Sequence, residues 1–169
     1  PGPQTTNQVA REILQRVTDR AYRRSATPAE LDGLMRLFGQ ARETGDGFEA
    51  AVKQGLMAVL VSPHFLFRGE IQSNPDNPHE SHRVSEYALA SRLSYFLWST
   101  MPDDELLNLA AKSQLTPALD RQVRRMLKDP KAESLTKNFA MQWLQLQRLQ
   151  TFTPDAKLFP NFNDTLRSA

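Results

Sequence analysis

Ala90-Ser91-Arg92-Leu93-Ser94-Tyr95-Phe96-Leu97-Trp98-Ser99-Thr100-Met101-Pro102-Asp103-Asp104-Glu105-Leu106-Leu107 decides the fold class of this chain. Leu89, Leu93, Phe96 and Leu97 recur at helical spacing, so an amphipathic helix is expected with those four turned inward. Met101-Pro102-Asp103-Asp104 is a proline–acid turn, and a short second helix follows it to about Leu115. Asp103, Asp104 and Glu105 open that helix, where carboxylates complement the positive end of the helix dipole. Arg92 lies beside the apolar stripe of the first helix and needs a partner there. The Asp103-Asp104 turn is the expected one, giving a structural clamp between the two helices.

Toward the N-terminus the same helix–turn grammar repeats. Thr5 and Thr6 can cap a helix running to about Arg24, with Val9, Ile13, Leu14, Val17 and Ala21 as its apolar stripe. Thr27-Pro28-Ala29-Glu30 is a helix start: a capping threonine, a proline at the first helical position and the glutamate of a capping box. Leu31, Leu34, Met35 and Phe38 form the second stripe. Gly45-Asp46-Gly47 breaks it, with Asp46 the expected next cap. Phe48, Val52, Leu56, Val59 and Leu60 belong to a third helix, which Ser62-Pro63 ends. Ser73-Asn74-Pro75-Asp76-Asn77-Pro78 is turn and linker chemistry. The expected organisation is a three-helix module over 1–70, a linker over 71–84 and a second helical module over 85–169, all-α throughout.

Toward the C-terminus, Ser85-Glu86 opens the fourth helix and Thr116-Pro117 starts another, carrying Val123, Met126 and Leu127. A last long helix is expected from Lys131 to Leu149. Its broad apolar face holds Leu135, Phe139, Met141, Trp143, Leu144, Leu146 and Leu149. A further helix begins at Asn163 or Asp164 and stops after barely one turn. The second module therefore reads as a truncated bundle, with an apolar patch expected near Trp143, Phe159 and Phe162. The opening Pro1-Gly2-Pro3 without Met likewise reads as an excised or processed piece.

Composition narrows the function classes. Hydrophobic residues make up 40% of the 169, enough for a packed core, while only 7 glycines and no strand-like runs favour helix. The balance of 21 basic against 19 acidic side chains leaves a net charge of +2. Bases alternate with acids along the chain, which argues against a nucleic-acid interface. No apolar run reaches membrane-spanning length. With no cysteine, the chain has no disulfide, no thiolate metal site and no Cys-x-x-Cys-His haem attachment of its own.

Candidate chemistry is sparse. His79 and His82 have ligand spacing but sit in linker sequence, so a solvated pair is expected and no metal. His64, beside Phe65, Leu66 and Phe67, reads as a partly buried structural imidazole rather than an axial haem ligand. Arg121, Arg124, Arg125 and Lys128 fall on one helical stripe. This is either a solvated face or a docking surface for an acidic or phosphate-bearing partner. Neither phosphate-binding glycine motifs nor hydrolase signatures occur.

Two sets of motifs resemble known modules. Ala21-Tyr22-Arg23-Arg24, Thr27-x-x-Glu30 and Leu60-Val61-Ser62-Pro63-His64-Phe65-Leu66-Phe67-Arg68 resemble a planctomycete-type module of unknown function. Leu89-Ala90-Ser91-Arg92-Leu93-Ser94-Tyr95-Phe96-Leu97-Trp98, Pro102-Asp103-Asp104-Glu105-Leu106, Arg125-Met126-Leu127 and Phe139-Ala140-x-Gln142-Trp143-Leu144 resemble the module that follows it. The resemblance implies an exported, periplasmic or otherwise extracytoplasmic protein in which such modules accompany c-type cytochrome domains. Haem c would then lie in flanking domains, with no cofactor in this chain. The expected role is structural or binding, toward flanking domains, a redox partner or a polymer. The alternatives are part of an oxidoreductase acting on a polymer, with its site completed elsewhere, and a nucleic-acid-binding helical domain.

Overall fold

The computed structural model describes residues 3–70, 76–77, 79, 81–146, 148, 151–155 and 157–168. All regular structure among them is helical. Half of the 71–84 segment and Leu149 lie outside the described residues.

α1 (Pro3–Tyr22), α2 (Pro28–Glu43) and α3 (Phe48–Val61) pack around one apolar cluster. α1 buries Ala10, Leu14, Thr18 and Ala21, while Val9 and Val17 face outward at 41% and 36% exposure. The buried line is therefore rotated from the expected one. It passes through Thr18, which can be buried because its hydroxyl donates to the Leu14 carbonyl at 2.7 Å. α2 begins as its sequence dictates. Thr27 caps the Glu30 amide, and the Glu30 carboxylate takes the Thr27 N–H at 2.8 Å. Its buried face is Leu31, Leu34, Phe38 and Ala41. The cap of α3 is Gly47 rather than Asp46, with no side-chain bond. Gly45 instead supplies the positive φ of 97° that the preceding turn needs. Ser62-Pro63 ends α3 and at once starts α4 (Pro63–Leu66), whose first amides Ser62 caps.

The second cluster gathers Ala90, Leu97, Trp98, Leu106, Ala110, Leu115 and Met126 from α5 (Glu86–Trp98), α6 (Asp104–Ala111), α7 (Leu119–Lys128) and the loop before α7. Ser85 caps α5 and Asp103 caps α6. Thr116 does not cap α7; its amide and hydroxyl both donate to the Glu86 carboxylate, which also takes the Leu115 amide at 2.7 Å. Glu86 thus ties the loop before α7 to the start of α5, and these bonds hold its carboxyl below the usual range against the effect of burial. Trp98, not Phe96, is the aromatic that α5 buries: Trp98 is 2% exposed and Phe96 55%.

The expected helix from Lys131 to Leu149 is not one helix. A 3₁₀ turn (Pro130–Ala132) leads to a π-helical segment (Leu135–Ala140) and then α8 (Met141–Trp143). The α-helical path breaks at Gln145, whose φ is 53°. Leu135 packs on the second cluster. Farther along, Phe139, Trp143 and Leu144 are exposed. α9 (Asp164–Ser168) starts with Asn163 accepting the Leu166 amide.

Candidate functional site

Neither cluster borrows a residue from the other. Polar ties join the two helical units instead. Glu70 grips Arg92 through Nε at 2.6 Å and Nη2 at 2.5 Å. Arg20 reaches Asp104 at 3.2 Å, the Ser25 and Tyr87 hydroxyls lie 3.1 Å apart, and the Arg68 guanidinium sits 4.4 Å from the Tyr95 ring centre.

Arg92 therefore does not form the expected clamp with Asp103 and Asp104. At 58% exposure it faces solvent, so the desolvation that would have demanded an inner partner is absent. Asp104 is 78% exposed and goes to Arg20. Asp103 does anchor a clamp, but with Arg125. Arg125 Nη1 donates to Oδ2 at 2.7 Å and Nη2 to Oδ1 at 3.2 Å, while the Leu106 amide donates to Oδ1 at 3.0 Å. Burial raises the Asp103 carboxyl; Arg125 and the Leu106 amide overcome it and hold the group below its usual range. Gln122, fully buried, accepts from Arg125 Nε and donates to Glu105. Trp98 lies under Arg125 and Lys131, and its indole N–H donates to the Met126 carbonyl at 2.9 Å. This network locks the start of α6 against α7.

Arg125 accordingly leaves the expected basic stripe. Arg121 and Lys128 remain exposed, and Arg124 pairs with Asp120 on the surface. Among the described residues, four cations on one outward face are thus reduced to two without an ion pair and a neutralised third.

Arg23 stands in the basic Tyr22-Arg23-Arg24 segment, yet it does not face solvent. Its side chain is buried and donates to the carbonyls of His64, Phe65 and Phe67. It follows α1 in a left-handed conformation, with φ of 57°, and so pins the α4 turn onto the end of α1. The only advance signal is its position directly after the last turn of α1.

His64 is exposed rather than partly buried, resting on Tyr22 at 5.2 Å and lying 3.5 Å from Glu30. His79 and His82 are exposed. Among the described residues no group of three or more His, Cys, Asp or Glu side chains is placed to hold a metal ion. No helix among them is long and apolar enough to cross a membrane.

Two surfaces remain as candidate sites. One is a cleft of about 390 Å³ between α1 and α6, where Arg16, Arg20 and Arg24 face Asp104, Leu107 and Asn108. The other is an aromatic strip. Phe96 meets Phe139 edge-on at 5.5 Å, and Phe139 stacks on Trp143 at 5.7 Å. Trp143 is 71% exposed. Phe159, expected near it, is exposed as well, and Phe162 is half-buried. The ring that Trp143 stacks on is Phe139.

Residues 9–70 match the family described as PSD5: Protein of unknown function (DUF1595). No curated protein and no solved structure matches the chain. Residues 84–169, just over half of the chain, match the family described as PSD4: Protein of unknown function (DUF1592), and the chain belongs to that family.

Proposed function

We propose that this chain is a non-catalytic structural or binding unit of an exported, planctomycete-type multidomain protein that also carries c-type cytochrome domains. The observation that carries the reading is the uncovered strip Phe96–Phe139–Trp143, continued by Leu144 at 55% exposure. Contiguous exposed aromatic surface on a folded domain marks a contact made with another domain or partner. The ionisable groups of the cleft favour binding over acid–base work: Asp104 is held by Arg20, Arg24 by Glu30, and Asp19 accepts the Ala26 amide at 2.6 Å. Haem c in this reading belongs to flanking domains, because the chain has no cysteine for thioether attachment. An extracytoplasmic location follows from the same motif resemblance.

The test is acrylamide quenching of tryptophan fluorescence in this chain and in the full polypeptide that contains it. Trp143→Phe identifies the accessible component. Free access in the chain and strong shielding in a haem-bearing polypeptide are expected. Equal access in both, or a polypeptide with no Cys-x-x-Cys-His, overturns the reading.

A further inference from the structure

We propose that the cleft between α1 and α6 is a binding site for a small dicarboxylate, and that its occupation competes with the Arg20–Asp104 tie between the two helical units. Arg16 and Arg20 are four residues apart on α1, so their guanidinium groups are neighbours on one face. Arg24 stands at the same end of the cleft but is consumed: it donates to both oxygens of Glu30, at 3.0 and 2.7 Å, and to the Ser25 carbonyl. Arg16, by contrast, makes no ion pair with any described residue. Arg20 holds Asp104 through one bond of 3.2 Å, with the two side chains 57% and 78% exposed. A pair that open to water is readily exchanged.

The chemistry of the ligand follows from what the arginines already accept. Arg24 holds a carboxylate in a two-pronged grip and Arg20 holds another by a single prong. The planar guanidinium fork fits carboxylate geometry, and carboxylates are the groups that Arg20 and Arg24 hold in this structure. One carboxylate of a short diacid would bridge Arg16 and Arg20, displacing Asp104. The second would reach the Asn108 amide, which makes no hydrogen bond with a described residue, across Leu107 and Ala111 on the cleft wall. The cleft volume lies within the range that holds small molecules.

Asp19 and Asp104 both face the cleft, and with Glu30 they balance the three arginines. The site is therefore weak, and Asp104 is a competitor built into it. This gives the proposal a sign that a merely basic patch would not have. Removing Asp104 tightens binding.

Succinate titrated at constant ionic strength, followed by the arginine Nε–Hε signals, should give a saturable shift at low millimolar concentration, on the order of 1–10 mM. Arg16→Ala should weaken it several-fold, and Asp104→Asn should strengthen it several-fold. Arg16 lies outside the ties between the units, so its substitution leaves them in place. Neutral succinamide should not bind. The proposal falls if no saturation is reached, if Arg16→Ala binds as the parent does, or if Asp104→Asn binds more weakly. Equal binding of sulfate would also overturn it, by showing a general anion patch without carboxylate geometry.

Discussion

Asp103 holds Arg125 with both carboxylate oxygens while one of them also caps α6 through the Leu106 amide. One side chain thus starts a helix and fastens the next helix to it. Both partners are less than a third exposed, at 27% and 31%, so the pair is worth more than a surface contact but less than a fully buried one. Arg125→Ala should cost about 2 kcal/mol, and Asp103→Ala about 3 kcal/mol because the cap is lost as well. Asp103→Asn keeps a capping oxygen and should cost about 1 kcal/mol less than Asp103→Ala. Urea unfolding followed by Trp98 fluorescence measures the series. Equal losses for Asp103→Asn and Asp103→Ala would show that capping contributes nothing.

Glu30 makes the N-terminal unit acid-sensitive. The Arg24 hydrogen bonds, helped by the Thr27 amide and opposed by burial, hold its carboxyl at about 2, against 4.5 unperturbed. A depressed folded-state value means stability that is complete above pH 4.5 and is lost as pH falls toward 2. Allowing for partial exposure, the loss is about 2 kcal/mol. Glu30→Gln should be less stable at neutral pH and should show a shallower decline on acidification. Circular dichroism melts between neutral pH and the acid limit check this. An unchanged acid slope in Glu30→Gln would assign the sensitivity to other carboxylates.

What was legible in the sequence was local. The capping box of Thr27 and Glu30 acts over three residues, so it could be read from spacing, as could the start of α5 at Ser85. Partner choice over distance was not legible. The Asp103-Asp104 turn was the partner expected for Arg92, whereas its partner is Glu70, 22 residues upstream in another segment. Phe96 and Trp98 look alike in a hydrophobic pattern. Trp98 goes inside because the Met126 carbonyl, 28 residues away, receives its N–H. Arg23 finds its carbonyl partners more than 40 residues downstream, in a turn whose position depends on how α3 packs. The cleft likewise joins residues of α1 to residues of α6 and has no signature in either segment alone.

Gly55 is a close-packing position on α3. A Cβ there would stand 2.7 Å from Leu14 Cδ2 and 3.2 Å from Cδ1. Leu14 is fully buried and has little room to turn away. Helix propensity favours Gly55→Ala by about 1 kcal/mol, whereas overpacking typically costs about 1–3 kcal/mol. The net expectation is a loss of about 1 kcal/mol. Leu14→Val should be partly rescued by Gly55→Ala, giving a non-additive double-mutant cycle. Simple additivity in thermal unfolding would mean that α1 and α3 move apart without penalty.

The joint between the two units should respond to salt while each unit stays folded. Their apolar clusters are separate, and among the described residues the ties across the joint include two ion pairs, a hydroxyl contact and the Arg68–Tyr95 stack. Arg20, Asp104 and Arg92 are each more than half exposed, so their pairs are screened by added ions. Small polar contacts between domains permit relative motion by default. The cysteine-free sequence allows spin labels at Gln40→Cys and Lys112→Cys, both exposed positions. Raising salt from about 0.05 M to about 1 M shortens the screening length to about 3 Å and should broaden the label-to-label distance distribution. Helical content should not change, because neither core is touched. Arg20→Ala with Arg92→Ala should reproduce the broadening at low salt, and Arg92→Ala alone should leave the unfolding midpoint of the second unit in place. A narrow distance that ignores both salt and the double substitution would mean that the joint is held by contacts other than these pairs.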